Sequence, residues 1–313
     1  MAQVCFGVDV GGTTIKMGLF DTVGNVLDKW EIVTRTEDHG VEILPDIAKS
    51  IQAKMAEKSI EKSAVIGVGI GIPGPVDGKG VVYECANLGW GVFNVNDTLS
   101  EILQGIPVRT GNDANVAALG EMWRGGGQGF DNLVMVTLGT GVGGGIIVDG
   151  EILTGAIGAG GEIGHIHVQD GEPDQCGCGN YGCLEQYASA TGMVRIANRY
   201  LDSFTGETCL KKGELSAKDL WDAVKAGDKA ADEICEQFGK YLGEGLAAVA
   251  CVTNPQIFVI GGGVSKAGEV ILPYVEKNYK PIVFRGSRDA KFTLAKLGND
   301  AGIIGAAFLG LSE

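Results

Sequence analysis

The feature that most constrains the fold is a layout that occurs twice: an apolar strand, a turn of glycine and threonine, and a second apolar strand. The first copy joins a predicted strand at Val4–Val10 to one at Ile15–Phe20 through Gly11–Thr14. The second joins Asn132–Leu138 to a strand at Ile146–Val148 through the glycine-rich run GTGVGGG. Repetition of one supersecondary unit within a chain predicts two related lobes.

The glycine turns carry a chemistry of their own. Successive backbone N–H groups at Gly11–Thr14 can form a concave anion site, and Asp9 lies at the end of the preceding strand, placed to hold Mg²⁺ through water. No helix follows this turn, so it is neither G-x4-G-K-[ST] nor G-x-G-x-x-G. An ordinary glycine turn explains a single hairpin equally well. Two hairpins, each with threonine, indicate lobes that face one nucleotide and favour phosphoryl transfer.

A second constraint is the segment Gly164–Glu185, which contains a C-x-C-x4-C array. Its three cysteines are Cys176, Cys178 and Cys183. Zinc favours four soft or borderline ligands in a tetrahedron, and three thiolates with one imidazole are a common structural set. A disulfide is the alternative, but the first two cysteines are too close for easy pairing, and a third thiol would remain. The spacing leaves the fourth ligand open, because His165 and His167 would share one face of a strand.

Two carboxylates, Glu162 and Glu185, bracket the cysteines. A closed site of three cysteines and one histidine stabilises a fold rather than performing chemistry, since no position is open for water. Zinc would therefore fix the loop, and the loop would hold Glu162, His165 and Glu185 as rigid hydrogen-bonding groups. Such groups suit a polyhydroxylated ligand such as a sugar.

Asp113 lies where a predicted strand at Pro107–Thr110 gives way to a predicted helix at Val116–Trp123. Open α/β sheets bind their ligands at junctions of this kind. An isolated Asp at a helix start is more often a simple N-cap, so both interpretations stand. A shorter helix is predicted over Asp97–Leu103, with Asn96 or Asp97 itself as its cap.

A third glycine loop, Gly261–Ser265, follows a predicted strand and precedes a predicted helix that extends to about Lys280. Glycine lets a ligand approach the backbone closely, so this loop could seat an adenosine. A bare strand-to-helix turn is the alternative.

Composition excludes several classes of function. The 313 residues carry a formal net charge of −14, which argues against non-specific binding to nucleic acid or to anionic membranes. No segment approaches the length of a transmembrane helix, and no signal peptide is evident. Five further cysteines are scattered through apolar or helical sequence, as expected of reduced thiols, so we expect a cytoplasmic protein.

Seven motifs stand in the order DVGGTTIK, GIPGPVD, GNDAN, LGTGVGGG, GEIGH, CGCGNYGCLE and GGGVS. With them the chain resembles the ROK family of repressors and sugar kinases from Val4 to Leu311, and it is most similar to the bacterial glucokinases of that family. The resemblance implies an α/β chain with the actin-like ATPase (ribonuclease H-like) fold and two lobes with a nucleotide and sugar cleft between them. We expect residues 1–112 and 301–313 to form the small lobe, and residues 113–300 the large lobe with the zinc segment.

The family pattern also implies roles for individual residues. Asp113 would be the general base that deprotonates a sugar hydroxyl, and Asp9 would organise Mg²⁺. The expected sugar contacts are Gly74, Asn87, Asn112, Asp113, Glu162, His165 and Glu185. The expected ATP contacts are Gly11, Gly12, Thr13, Thr14, Gly139, Thr140 and Gly141 at the phosphates, and Gly262 and Gly263 at the adenosine. The expected zinc ligands are His165, Cys176, Cys178 and Cys183, so the resemblance favours His165 over His167.

The activity implied is ATP-dependent phosphorylation of the 6-hydroxyl of glucose. N-acetylmannosamine, mannose, fructose and allose are alternative substrates, and polyphosphate is an alternative donor. A sugar-sensing regulator of the same family would carry a helix-turn-helix domain ahead of the first strand, and a strand that begins at about Val4 leads us to expect a kinase instead. The resemblance also implies a homodimer, with a tetramer as the alternative.

Overall fold

The computed structural model describes residues 2–312, which form twelve β-strands and eleven α-helices. The strands are β1 (Val4–Val10), β2 (Thr14–Asp21), β3 (Val26–Val33), β4 (Val65–Ile72), β5 (Val81–Val82), β6 (Phe93–Asn94), β7 (Val108–Asn112), β8 (Leu133–Leu138), β9 (Val142–Val148), β10 (Glu151–Ile152), β11 (Ile257–Gly261) and β12 (Lys291–Leu294). The helices are α1 (Glu37–Gly40), α2 (Ile43–Glu57), α3 (Val95–Ile102), α4 (Asp113–Arg124), α5 (Glu185–Ala188), α6 (Ala190–Leu201), α7 (Ala217–Lys225), α8 (Lys229–Thr253), α9 (Gly262–Ser265), α10 (Ile271–Tyr279) and α11 (Ala301–Leu311). Within residues 2–312, no helix is long and apolar enough to cross a membrane.

The first sheet has the strand order β3-β2-β1-β4-β7. Strands β1 and β2 form the antiparallel hairpin predicted from the sequence, and β4 runs parallel to both β1 and β7. One face of this sheet packs against α2. That helix presents Ile43, Ile47 and Ile51 at intervals of four residues, and all three are fully buried.

The other face of the first sheet is lined by glycine. Strand β4 reads VIGVGIGI, and side chains alternate along a strand. Val68, Ile70 and Ile72 pack in one core cluster with α2, while the three glycines that alternate with them face the opposite way. A methyl group at Gly69 would overlap the carbonyl of Ala306, and one at Gly7 would overlap the carbonyl of Ile303. Helix α11 therefore lies directly on the backbone of β1 and β4.

Helix α4 packs against α11 in the same manner. A methyl group at Gly305 would overlap the Val116 carbonyl, and one at Gly120 would overlap the Ala301 carbonyl. This contact places α4 in the first of two compact units. Among the described residues, the first unit consists of three segments: residues up to Gly129, Gly145–Gly161, and residues from Leu297 onward. The chain thus leaves the first unit after Gly129 rather than after Asn112, the boundary expected from the sequence, because α4 is bound to α11.

The second unit comprises Phe130–Gly144 and Glu162–Lys296. Strands β8, β11 and β12 of this unit run parallel to one another. The second five-stranded sheet of the fold has the strand order β10-β9-β8-β11-β12. The long helix α8 packs against α7 and α10, and it ends at Asn254, which adopts the left-handed conformation. The N-cap of α7 is Ser216, which forms a capping box with Asp219.

Three local predictions are wrong. Strand β9 begins at Val142 rather than Ile146, because glycine adopts strand conformations as readily as turns. At Gly145 the missing side chain also leaves room for α4, since a methyl group there would lie 2.6 Å from Cβ of Ala118. The predicted helix after the third glycine loop is two helices, α9 and α10, separated at Gly268 with φ of 89°. The cap of α3 is Asn94, whose side chain accepts the Asp97 N–H at 3.1 Å.

Candidate active site

The first glycine turn is braced by the residue that follows β3. Gly11 donates its N–H to the Thr14 carbonyl at 3.1 Å, closing the hairpin. The Thr34 hydroxyl donates to the Gly11 carbonyl at 2.7 Å, and the Thr34 N–H donates to the Thr13 carbonyl at 2.9 Å. A methyl group at Gly12 would meet nothing within 4 Å, so the outer side of the turn is open. Thr34 had no role in the sequence prediction; its only signal is a threonine directly after an amphipathic strand.

Asp9 lies beside this turn, opposite Lys16 in the β1–β2 register. Burial raises the pKa of Asp9, the Lys16 ammonium opposes that shift, and the negative charge of Asp113 adds to it. The first turn of α11 covers the carboxylate, because a methyl group at Gly302 would lie 2.6 Å from Cγ of Asp9. Asp9 and Asp113 are therefore two acidic groups close enough to perturb each other within one unit.

Asn112 and Asp113 have different roles at the start of α4. Asn112, not Asp113, is the N-cap: its Oδ1 accepts the N–H groups of Ala114 at 3.0 Å and Asn115 at 3.2 Å. Its Nδ2 donates to the Gly74 carbonyl at 3.1 Å. Asp113 is the first helical residue, and its Oδ1 accepts the Ala114 N–H at 2.8 Å. The simple capping interpretation of Asp113 is thus excluded.

The remaining expected sugar contacts of the first unit lie on two adjacent turns. Gly74 belongs to the loop after β4, and Asn87 is exposed in a single turn of 3₁₀ helix at Ala86–Leu88. The Asn112 side chain connects directly to the Gly74 loop, as described above. The first unit therefore brings together Gly74, Asn112 and Asp113, with Asp9 near Asp113.

In the second unit, the second glycine turn is held from behind by the start of α6. Gly139 donates its N–H to the Gly141 carbonyl at 3.0 Å, and the Gly139 carbonyl accepts the Ala190 N–H at 2.8 Å. The Thr191 hydroxyl donates to the Thr140 carbonyl at 2.7 Å. The turn thus comprises Gly139–Gly141, and its backbone is held both by its own hydrogen bond and by two bonds from the start of α6.

Glu185 connects this turn to the cysteine segment. Its Oε2 accepts the Val142 N–H at 2.9 Å, while its Oε1 lies 3.9 Å from the Cys176 sulfur. A methyl group at Gly141 would overlap Oε2 of Glu185. One carboxylate therefore spans an expected phosphate loop and an expected zinc ligand.

This geometry predicts the effect of Gly141→Ala. The added methyl group displaces Glu185 and breaks its bond to Val142, so KM for the expected sugar substrate should rise by about tenfold or more, the cost of one charged hydrogen bond. Steady-state kinetics measures it. Gly91→Ala is the matched control, because a methyl group there meets nothing within 4 Å. Equal KM values for the two variants would contradict the role of Glu185.

Four side chains converge in the cysteine segment. The candidate ligand atoms of His165, Cys176, Cys178 and Cys183 all lie within 4.8 Å of one another. The Cys178 and Cys183 sulfurs are 3.6 Å apart, and His165 Nδ1 is 3.8 Å from the Cys176 sulfur. Zinc–sulfur bonds of about 2.3 Å in a tetrahedron place sulfurs about 3.8 Å apart. The donor set and its spacing therefore fit zinc, and every cysteine of the described residues is free of disulfide bonding.

The other histidine of this segment has different partners. His167 Nδ1 lies 2.9 Å from the Tyr181 carbonyl, and its Nε2 lies 2.9 Å from Asp170. His165 instead directs Nδ1 toward Cys176 and Nε2 toward Glu162, 3.9 Å away. The geometry agrees with the choice of His165 and leaves its second nitrogen on the side of Glu162.

Sequence reasoning missed a buried ionic cluster that holds this segment. The Glu172 side chain is only 1% exposed and pairs with Arg195 at 3.3 Å and Arg199 at 2.8 Å. The Tyr187 hydroxyl donates to the same carboxylate, and Arg195 also donates to the Gln186 carbonyl at 2.6 Å. The sequence pattern that could have indicated this ionic cluster is the pair of arginines four residues apart, which share one face of α6.

We expect Glu172→Gln to lower the free energy of unfolding by about 3 kcal/mol at pH 7, because it breaks a buried pair on one side. The Arg199 guanidinium holds the pKa of Glu172 at about 2, below its ordinary 4.5. A depressed carboxyl pKa stabilises the fold above pH 4.5 and loses that contribution as the pH falls toward 2. The difference between wild type and variant in urea unfolding should therefore shrink below pH 4.5. A difference independent of pH would contradict this, and exposed Glu207→Gln is the control.

The third glycine loop begins α9. Gly262 has φ of 83° and packs on the Leu138 backbone, so only glycine suits it. Gly263 lines a cavity of about 200 Å³ together with Val264, Lys266 and side chains of α7 such as Trp221. The loop therefore borders a space within the second unit, as an adenosine-seating loop would require.

Fold and site together define a chain with the actin-like ATPase fold, with glycine turns and acidic groups in its two units. The model of the ROK family matches residues 5–313, and the chain belongs to the ROK family. It is 45% identical over 311 residues to a glucokinase of Halalkalibacterium halodurans, with 97% of this chain and 93% of that protein covered.

Two solved structures extend the comparison. A ROK hexokinase from Thermus thermophilus has a TM-score of 0.80 and 32% identity, with 98% of both chains covered. A ROK family glucokinase from Streptomyces griseus, in complex with glucose and AMPPNP, has a TM-score of 0.70 and 34% identity, with 98% of this chain and 99% of that chain covered.

Proposed function

We propose that this protein is an ATP-dependent kinase that phosphorylates the 6-hydroxyl of glucose, with Asp113 as the general base. The observation that carries the proposal is the position of Asp113: a carboxylate at a strand-to-helix junction, whose capping role is taken by Asn112, near the acidic Asp9. The 45% identity to a glucokinase supports glucose as the substrate.

In the proposed reaction, the Asp113 carboxylate accepts the proton of the sugar hydroxyl. The hydroxyl oxygen forms a bond to the γ-phosphorus of ATP while the bond from that phosphorus to the bridging oxygen breaks, which yields glucose 6-phosphate and ADP. Catalysis of this kind depends on alignment and charge stabilisation more than on covalent help from the protein. The turns at Gly11–Thr14 and Gly139–Gly141 would hold the phosphates with backbone N–H groups.

Asp9 fits a role in holding Mg²⁺. Its burial and the nearby charge of Asp113 both disfavour two carboxylates without a cation. Mg²⁺ carried with ATP would offset charge on the phosphoryl oxygens. Zinc at His165, Cys176, Cys178 and Cys183 would have a structural role, since four protein ligands leave no position open.

Sugar contacts in the second unit would be Glu162, His165 and Glu185, and those in the first Gly74, Asn87, Asn112 and Asp113. These groups bind hydroxyls that several hexoses share, so mannose, fructose, allose and N-acetylmannosamine are competing substrates. We further propose a homodimer in the cytoplasm. Multi-angle light scattering checks the assembly, and a monomer at micromolar concentration would contradict it.

The direct test is detection of phosphorylated sugar by mass spectrometry, with Mg-ATP or polyphosphate as donor and a panel of these hexoses. We expect glucose with ATP to give the highest kcat/KM. Glucose binding without turnover of any sugar would overturn the kinase and favour a sugar sensor, and turnover only with another hexose would reassign the substrate.

A further inference from the structure

The proposed reaction gives no role to Cys85, although this residue lies among the sugar contacts of the first unit. Its side chain is 1% exposed. The thiol donates to the Pro73 carbonyl, with 2.7 Å between sulfur and oxygen. Pro73 immediately precedes Gly74, so the thiol reaches the loop that follows β4.

The backbone of Cys85 closes the turn that carries Asn87. The Cys85 N–H donates to the Trp90 carbonyl at 3.0 Å, and the Trp90 N–H donates back to the Cys85 carbonyl at 3.1 Å. Trp90 is itself buried, and its indole N–H donates to the Gly40 carbonyl at 3.1 Å. Asn87 thus projects from a short closed turn whose base is Cys85.

Gly74 packs against the same base. A methyl group at Gly74 would lie 3.1 Å from the Glu84 carbonyl oxygen and 3.3 Å from Cβ of Cys85. From the other side, the Asn112 amide donates to the Gly74 carbonyl at 3.1 Å. The Pro73–Gly74 loop is therefore bonded on one side to Cys85 and on the other to the cap of α4.

The Cys85 thiol is expected to stay protonated, as a hydrogen-bond donor must. Burial raises the pKa of Cys85, and the negative charge of Asp113 raises it further. The side chain remains a thiol at neutral pH, able to donate to a carbonyl, and it lies close enough to Asp113 to sense its charge.

We propose that Cys85 is a positioning residue of the sugar site: its thiol fastens the Asn87 turn to the Pro73–Gly74 loop, and through that loop to Asn112. The proposal rests on the proposed function, since it assumes that these turns bind a hexose. Loss of the bond would let the Asn87 turn shift relative to Asn112 and weaken sugar binding, while the ATP contacts and Asp113 stay in place.

The test compares three variants with the same assay. Cys85→Ala and Cys85→Val remove the donor, and Cys85→Ser keeps one, because a hydroxyl with its shorter C–O bond still reaches the Pro73 carbonyl. We expect KM for glucose to rise about five- to tenfold in the Ala and Val variants, the effect of one hydrogen bond. KM for ATP and kcat should stay within about twofold, and Cys85→Ser should restore most of the sugar affinity.

Cys5→Ala is the matched control, because Cys5 is a buried cysteine of the same unit that packs with Phe20 and Ile303, away from these turns. It should lower the melting temperature without raising KM for glucose. An equal KM increase in Cys5→Ala, or none in Cys85→Ala and Cys85→Val, would overturn the proposal. So would a serine variant as impaired as the alanine variant.

A double-mutant cycle with Asn87→Ala separates positioning from general loosening. If Cys85 acts through the Asn87 turn, Cys85→Ala should add little to Asn87→Ala, whereas independent effects would multiply and contradict the proposal. Wild-type protein that phosphorylates no hexose would refute the proposed function itself. Active wild type with unaffected variants would refute only the role of Cys85.

Discussion

Asp113→Asn is expected to bind glucose with nearly unchanged affinity and to lose about 10²- to 10⁴-fold in kcat, the usual contribution of a general base. The amide has the size of the carboxylate and can still accept the Ala114 N–H, so the start of α4 stays formed. It cannot take up the hydroxyl proton. Stopped-flow and steady-state kinetics with Mg-ATP measure kcat, and isothermal titration measures glucose affinity.

The control is Asp97→Asn, which changes an exposed acid in the first turn of α3, in the same unit. It should keep wild-type kcat. A normal kcat in Asp113→Asn would remove Asp113 from the role of base, and a joint loss of binding and turnover would indicate that its main part is in holding the sugar.

Removal of the proposed zinc is the second change with a large expected effect. Cys178→Ser, or a strong chelator, should lower kcat/KM for glucose by at least about 100-fold and lower the melting temperature. Without a cation, the sulfurs that lie 3.6 Å apart cannot all remain thiolates. The loop then loosens, and His165 and Glu185 lose their fixed positions. Cys178 is exposed, so a chelator can reach the site.

Elemental analysis should find one zinc per chain in the wild type and much less in Cys178→Ser. Cys251→Ser, at an exposed cysteine outside the segment, should keep both metal and activity. Zinc-free protein with full kcat/KM and an unchanged melting temperature would dismiss the structural metal. Loss of melting temperature with full activity would instead separate the metal from the sugar site.

The sequence predicts elements best where periodicity is strong. The β1–β2 hairpin forms within one residue of its predicted bounds, because its own residues decide its extent. Glycine-rich stretches are harder, since glycine adopts turn and strand conformations alike. Gly145 lies in a strand that pairs within the second sheet, and the absence of a side chain there leaves room for α4.

The same reasoning applies to the candidate site. Asp113 at its junction and the three cysteines follow from order and spacing in the chain, whereas the choice of His165 over His167 comes from the family resemblance. The double use of Asn112, as cap of α4 and as donor to Gly74, depends on a loop 38 residues away. The ion pair of Glu172 with Arg199 joins residues that are 27 positions apart in the chain, so no local sequence pattern could have predicted it.

The glycine-lined contact of α11 has a consequence for synthesis on the ribosome. Helix α11 is translated after the entire second unit, yet it fills the face of β1 and β4 and covers Asp9 through Gly302. A nascent chain that has exposed every residue up to Lys296 still has an open, apolar sheet face in its earliest strands. The first unit is therefore completed last, and the carboxylate proposed to organise Mg²⁺ acquires its surroundings only when translation reaches α11.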